Sequence, residues 1–206
     1  MFNSDEQNIY NMMSYIIKTN NVELLNLSME FLIMNSNNLQ FIFNESYKFT
    51  HSHIVVIDKL LQEQKNRVDP SAGNNEAIRR ASGYGRVDVV DRLLQDVRVD
   101  PSADSNYAIR YASCNGHIAV VDRLLQDRRV DPSADDNFAI HLASRNGHVA
   151  VVERLLQDDR VEPTVKNNFA IRIASQNGHN AVVDRLLQDR TGRVDLSANK
   201  NSAICI

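Results

Sequence analysis

The apolar positions of residues 106–136 form two short stripes with the spacing of an α-helix. The first stripe consists of Ala108, Ile109 and Ala112, and the second of Ile118, Val121, Leu124 and Leu125. Side chains three and four positions apart share one face of a helix, so each stripe predicts a helix with one apolar face. Charged and amide residues at 122, 123, 126 and 127 occupy the other face of the second helix. The segment is therefore predicted to form a pair of short amphipathic helices.

The ends of these two helices are marked by turn-forming residues. Asn106 is a suitable N-cap for the first helix, and Gly116 can take the left-handed conformation that ends it. A second helix is predicted to begin near Ile118. Pro132 restricts the residue before it to an extended conformation, and 133–136 is typical of a turn. The unit is therefore expected to close with a loop or a narrow hairpin.

The helix pair recurs along the chain with a fixed period. Pro70, Pro101, Pro132 and Pro163 are each 31 residues apart, and so are Gly85, Gly116, Gly147 and Gly178. A period between about 20 and 50 residues is typical of stacked repeats. One such unit buries too little apolar surface to offset the entropy of ordering it, so neighbouring copies must cover its open faces.

Residues 138–156, "FAIHLASRNGHVAVVERLL", resemble the ankyrin repeat, whose pattern runs Thr-Pro-Leu-His-x-Ala-Ala-x-x-Gly-His-x-x-Val-Val-x-x-Leu-Leu. The resemblance is carried by Ile140, His141, Ala143, Gly147, His148, Val151, Val152, Leu155 and Leu156. The chain departs from the pattern in three ways. Ala139 replaces the proline and Phe138 the threonine; His141 is arginine in the other copies (Arg79, Arg110, Arg172); and the period is shorter than the usual one of about 33. The "VDPSAD" loops resemble those of ankyrin arrays common in large DNA viruses of amoebae and in amoebae themselves.

The resemblance implies an all-α fold, an ankyrin solenoid of stacked helix pairs joined by short loops or hairpins. We expect a helical N-terminal segment that caps the array as a degenerate repeat, then one degenerate and four regular repeats, and finally the start of a truncated repeat. The corresponding ranges are 1–43, 44–74, 75–105, 106–136, 137–167, 168–200 and 201–206.

The charge balance and the N-terminus restrict the partners and the compartment. Lys and Arg number 23 against 26 Asp and Glu, which gives a formal charge of -3 and no basic field to attract nucleic acid or a membrane surface. The stretch "MFNSDEQN" lacks the basic residues of a secretory signal, and the apolar stretches near Ile16 and Leu32 are too short to span a bilayer. We expect an intracellular, cytoplasmic protein without nucleic-acid or membrane partners, in the host cytoplasm if the chain is viral.

Candidate chemical groups are better explained by the repeat than by catalysis. His117, His148 and His179 recur just after the glycine, which favours a structural role, and His51 and His53 are more typical of a degenerate copy of that turn than of a metal site. Alternating Asp or Glu and Arg at 91–92, 122–123, 153–154 and 184–185 favours charge ladders on a solvated face. With no phosphate-binding loop either, the sequence predicts a non-enzymatic protein without metal or cofactor.

Function is expected where the copies differ while their frame does not. The resemblance implies that the residues before the glycine and those in the loops line a concave, partner-binding face; neutral drift at exposed positions is the alternative. The predicted partner-binding residues are Tyr84, Asp104, Ser105, Cys114, Asp135, Asp136, Arg145, Lys166, Asn167 and Gln176. Tyr107, Phe138 and Phe169 are interpreted as packing between repeats.

The predicted function is a protein-interaction module or scaffold for a protein partner. One alternative is a structural protein that assembles through its terminal repeats, and another is an adaptor that recruits host machinery such as a ubiquitin ligase. The last full repeat keeps Ile171, Ile173 and Val183, and only "NSAICI" follows to cover them. We therefore expect a weak homodimer through the C-terminal end.

Overall fold

The computed structural model describes residues 8, 11, 15, 39–46, 54–63 and 68–189. Most of the predicted N-terminal segment, the pair His51 and His53, and the predicted truncated repeat at 201–206 lie outside the described residues. The helices with defined bounds are α1 (Leu39–Ser46), α2 (Ile54–Glu63), α3 (Ala72–Gly83), α4 (Val87–Leu94), α5 (Ala103–Cys114), α6 (Ile118–Leu125), α7 (Ala134–Arg145), α8 (Val149–Leu155), α9 (Val165–Gln176) and α10 (Asn180–Leu187).

The helices stack as pairs in two layers. The first helices of the pairs, α3, α5, α7 and α9, pack side by side in chain order, and the second helices α2, α4, α6, α8 and α10 do the same in the other layer. Each first helix also packs on the second helix that follows it. The predicted all-α solenoid of stacked helix pairs is confirmed, and the described residues contain no strand. No described helix has the length and apolar character needed to cross a bilayer.

One continuous apolar core runs between the two layers. First helices contribute small residues such as Ala108 and Ala112, and second helices contribute larger ones such as Val121 and Leu124, all fully buried. The small side chains let neighbouring first helices approach closely, while the branched ones fill the space between the layers. Leu39 and Phe43 of α1 belong to the same core, so it extends beyond the regular repeats.

The start of each first helix differs from the prediction. Asp104, Ser105 and Asn106 have φ values of 56°, 54° and 59°, so the chain makes a left-handed turn before the right-handed helix. Asn106 therefore does not cap its own helix. Its side-chain oxygen accepts a hydrogen bond from the backbone N–H of Asp131, in the loop that leads to the next first helix, at 2.7 Å. Asparagine tolerates the left-handed region, and its amide joins the start of α5 to that loop.

The remaining turn predictions agree with the structure. Gly116 has φ 76° at the end of α5, as its position predicts, and α6 begins at Ile118. In the loop, the Asp131 carboxylate accepts hydrogen bonds from the backbone N–H (2.9 Å) and the hydroxyl (2.7 Å) of Ser133. This local ring fixes the loop as a compact turn around Pro132, and no hairpin strands form in the described chain.

Candidate protein-binding surface

The histidines after the glycines hold neighbouring repeats together. The Nε2–H groups of His117, His148 and His179 donate to the carbonyl oxygens of residues 83, 114 and 145 in the preceding repeat, at 2.9, 3.0 and 2.9 Å. Asparagine side chains at 115, 146 and 177 donate to the same three carbonyls. The C-terminal ends of the first helices are thus satisfied by the next repeat. The predicted structural role of these histidines is confirmed.

A second set of bonds ties the loops to one another. The guanidinium groups of Arg98, Arg129 and Arg160 donate to the carbonyl oxygens of residues 68, 99 and 130, one repeat earlier, at 2.8 to 2.9 Å. Each arginine is held by the carboxylate two residues before it, at 96, 127 or 158. The side-chain hydrogen bond from the arginine holds the pKa of each of these three aspartates below its ordinary value.

The second helices carry the predicted charge ladder. Its ion pairs join residues 32 or 34 positions apart in consecutive helices: Arg92 with Asp58, Arg123 with Asp91, Arg154 with Asp122, and Arg185 with Glu153. The carboxylates are half-exposed, so each pair contributes only about 0.2 to 1 kcal/mol. A shallow depression between α2 and α4 is lined by the first of these pairs and by other polar groups. The depression between α2 and α4 is thus lined by side chains of the charge ladder.

The residues predicted to bind a partner lie in two rows. Asp104, Ser105, Asp135, Asp136, Lys166 and Asn167 are exposed in the left-handed turns. Tyr84 follows the end of α3, while Cys114, Arg145 and Gln176 end α5, α7 and α9. The rows are separated by the length of the first helices, roughly 10 to 15 Å at 1.5 Å per residue. We call this face of the first helices, with both rows, the strip.

Between the two rows lies a set of apolar side chains that the sequence analysis did not assign to partner binding. These are Tyr107 and Tyr111 of α5, Phe138 and Leu142 of α7, and Phe169 and Ile173 of α9. We call them the apolar panel. Tyr111 is 39% exposed and Phe138 36%, while the other four are partly buried. The available signal was their spacing of four residues on a helix face about 100° around from the buried alanines.

The aromatic members of the panel are interleaved with arginines. The Arg79 guanidinium carbon lies 5.2 Å from the Tyr107 ring centroid, and that of Arg110 lies 5.7 Å from Tyr107 and 5.6 Å from Phe138. Arg172 lies over Phe169 at 5.8 Å. The prediction that these aromatic rings pack between repeats thus describes only part of their surroundings. The rings also contact arginines, and Phe138 is partly exposed to solvent.

The arginines at 79 and 110, the first two of the arginine column, are neutralised by the left-handed turn at the start of the next first helix. Arg79 donates to the Asp104 carboxylate at 3.0 Å, and Arg110 pairs with Asp135 in the same way. Arg79 also donates to the carbonyl oxygens of Gly73 and Asn74 in its own turn, both at 2.9 Å. Asp104 and Asp135, which were predicted to bind a partner, thus form ion pairs with arginines of the preceding first helix.

His141 interrupts this column. Its side chain is buried, and its ring lies edge-on to Phe169 at a centroid distance of 4.9 Å. Burial, reinforced by the nearby Lys166 ammonium and opposed by Asp136, lowers the pKa of His141 to about 4, so it is neutral near pH 7. The turn that follows carries Lys166 where the two previous turns carry aspartate. The copy that lacks the arginine, at His141, thus also lacks the aspartate that pairs with it in the two preceding copies.

The described residues contain no group of three or more His, Cys, Asp or Glu side chains placed to hold a metal ion.

No curated protein matches the chain. Residues 109–202 match the family model described as "Ankyrin repeats (3 copies)", and the stacked helix pairs of the described residues are consistent with an all-α ankyrin solenoid.

Proposed function

We propose that the protein is a non-enzymatic interaction module that presents the strip to a protein partner. Ankyrin repeats generally act as protein-protein interaction modules. The proposal concerns this chain in particular: its contact face is formed by the left-handed turns, the exposed side of the first helices and the residues at their C-terminal ends.

The observation that carries the proposal is the division between recurring and varying positions. Positions whose side chains bond to the neighbouring repeat recur almost unchanged, as in His117, His148 and His179. Positions on the strip differ in size and charge from copy to copy. The first turn position reads Gly73, Asp104, Asp135 and Lys166, and the position two before the glycine reads Gly83, Cys114, Arg145 and Gln176. A surface that varies on a uniform frame is suited to selecting one partner.

The test is affinity purification with the full chain as bait, from the cells in which it is naturally produced, followed by quantitative mass spectrometry. The strip variant combines Asp104→Asn, Asp135→Asn, Arg145→Ala and Gln176→Ala. Asparagine is chosen in the turns because alanine would strain the left-handed backbone. The control variant replaces exposed glutamines after the second helices with alanine, at 95, 126, 157 and 188.

The proposal expects a set of proteins retained by the wild type and by the control variant and depleted with the strip variant. Thermal unfolding of all three proteins should be similar, because the replaced groups are exposed and their ion pairs are weak. Equal retention by the wild type and the strip variant would contradict the proposal, and selective loss with the control variant would move the contact face to the second helices.

We also propose that the protein acts as a scaffold inside a cell. The two cysteines of the sequence lie far apart along the chain, at 114 and 205, which is typical of reduced thiols and supports an intracellular role. The loop resemblance to arrays of large DNA viruses of amoebae supports a search for the partner among host cytoplasmic proteins. Expression of the tagged chain and imaging of its location test this part, and accumulation outside the cytoplasm would contradict it.

A further inference from the structure

The apolar panel extends across three neighbouring first helices. Its members occupy two positions four residues apart in α5, α7 and α9, and these helices pack in that order. Tyr111 lies across the groove between α3 and α5, because a side-chain carbon added at Gly83 would meet its ring at 2.1 Å. A grouped set of partly exposed apolar side chains is typical of a binding site rather than of a random surface.

The panel has a defined end in the first regular repeat. In α3 the two corresponding positions are Glu76 and Arg80, which form an ion pair with each other. The panel therefore covers α5 to α9. With neighbouring helix axes about 8 to 10 Å apart, it is roughly 20 Å long. A segment of about six extended residues or about thirteen helical residues spans that length.

Charge on the strip is distributed unevenly along this length. At the α3–α5 end, Arg79 and Arg110 are each paired with an aspartate of the next turn. At the α7–α9 end, Arg145 is exposed and Arg172 stacks on Phe169, and neither has a carboxylate partner among the described residues. The two arginines without a carboxylate partner are thus both at one end of the panel.

Lys166 adds to the positive charge of that end. Its ammonium group lies 3.1 Å from a carboxylate oxygen of Asp136, but both side chains are largely exposed, so the pair is weak. This cationic end belongs to a chain with a formal charge of -3. The attraction for an acidic partner therefore comes from the local arrangement rather than from the net charge, and it sets the orientation of the partner.

Arginine interleaved with aromatic rings is also found where proteins bind single-stranded nucleic acid. Here the first two arginines of the column are already paired with Asp104 and Asp135, which would repel a phosphate backbone. A nucleic acid needs cations along its whole track. The distribution of charge favours a protein segment with carboxylates at one end.

Building on the proposed function, we propose that the partner binds through an acidic amphipathic segment. Its aliphatic or aromatic side chains cover the apolar panel, and its carboxylates lie beside Arg145 and Arg172. The panel supplies the area removed from water, and the two arginines supply the direction and the preference for acidic sequences.

The probe is a phage-displayed library of random linear peptides of about fifteen residues, long enough to cover the panel in either conformation. It is selected on the full chain, and the enriched peptides are then synthesised and their Kd values measured by fluorescence anisotropy. The variants are Tyr111→Ser with Phe138→Ser for the panel, Arg145→Glu for the cationic end, and Arg128→Glu as the control. Arg128 is exposed in the turn after α6 and also has no ion-pair partner among the described residues.

We expect enriched peptides to combine apolar anchors with two or more Asp or Glu. Their Kd should rise roughly tenfold in the panel variant and in Arg145→Glu, and stay unchanged in Arg128→Glu. Added salt should weaken the binding of these peptides. Because Arg145 is an exposed helix-end residue, its replacement leaves the fold intact, and circular dichroism of each variant verifies this.

Four results would overturn the proposal. Peptides that depend on the panel but show no enrichment in acidic residues would reject the partner chemistry and leave the proposed function standing. Failure to enrich any peptide, or enrichment of peptides that bind the panel variant equally well, would reject a linear segment on this surface. Binding of a single-stranded oligothymidylate that competes with the peptides would reject a protein segment in favour of nucleic acid. The affinity purification described above tests the proposed function independently of these outcomes.

Discussion

At the scale of single residues, the left-handed turn explains the composition of the loops. Three consecutive residues take positive φ in each turn, and most of them are Gly, Asn or Asp, the types that accept this conformation at the least cost. Ser105 and Lys166 are the exceptions. The residue type at the varying first position of the turn is therefore restricted by the left-handed backbone, while its side chain forms part of the strip.

Lys166→Asn should stabilise the protein by about 0.5 to 1 kcal/mol, because lysine at φ 51° is strained and asparagine is less so. The weak pair with Asp136 is lost but offsets little of this gain. The matched control is Asn167→Lys at φ 62°, which should destabilise by a similar amount. Chemical unfolding of both variants measures the two free energies, and a change of the same sign in both would contradict this account of the turn.

Replacement of Gly147 should cost more than replacement of Gly178, although both have φ near 75°. A side-chain carbon at Gly147 would lie 2.6 Å from Nδ1 of the His179 ring, whereas one at Gly178 would meet nothing within 4 Å. Alanine at Gly178 should cost about 1 kcal/mol from backbone strain alone, and alanine at Gly147 at least about 1 kcal/mol more. Equal shifts in Tm would show that the histidine does not pack on the glycine of the preceding repeat.

At the scale of elements, each interface between neighbouring repeats combines the same bonds with one varying contact. Between α7 and α9 that contact is His141 on Phe169, where the two preceding interfaces have an arginine paired with an aspartate. A buried, neutral histidine replaces an ion pair at this interface. This interface should therefore lose stability as the pH falls below about 6.5.

Acidification from pH 7 to pH 4.5 should lower the free energy of unfolding of the wild type by about 2 to 3 kcal/mol more than it lowers that of the His141→Gln variant. The pKa of His141 is about 4 in the folded protein against an ordinary value of 6.5, so between these values the unfolded chain binds a proton that the folded chain does not. Stability is therefore complete above about pH 6.5 and is lost as the pH falls towards 4. Parallel curves of unfolding free energy against pH for the two proteins would contradict the assignment.

At the scale of the whole molecule, the sequence predicted the period, the helix pairs and the all-α solenoid. These rest on local signals, such as the apolar stripe around Leu124 and the glycine at 116. It did not predict the left-handed turn, because Asn106 satisfies the ordinary rule for a helix cap and its bond to the loop before the next first helix is visible only in three dimensions. It also missed the apolar panel, since Tyr111 and Leu142 have the spacing that usually indicates a core. Their exposure depends on how neighbouring helices stack.

If the strip binds the partner, the second helices only support it. Hydrogen exchange of the backbone amides, measured by mass spectrometry on the full chain alone and with a purified protein captured in the affinity experiment, distinguishes the two layers. We expect slower exchange on binding in the turns and first helices, within 104–115, 135–146 and 166–177, and unchanged exchange within 118–126 and 149–157. Slower exchange confined to the second helices would contradict it.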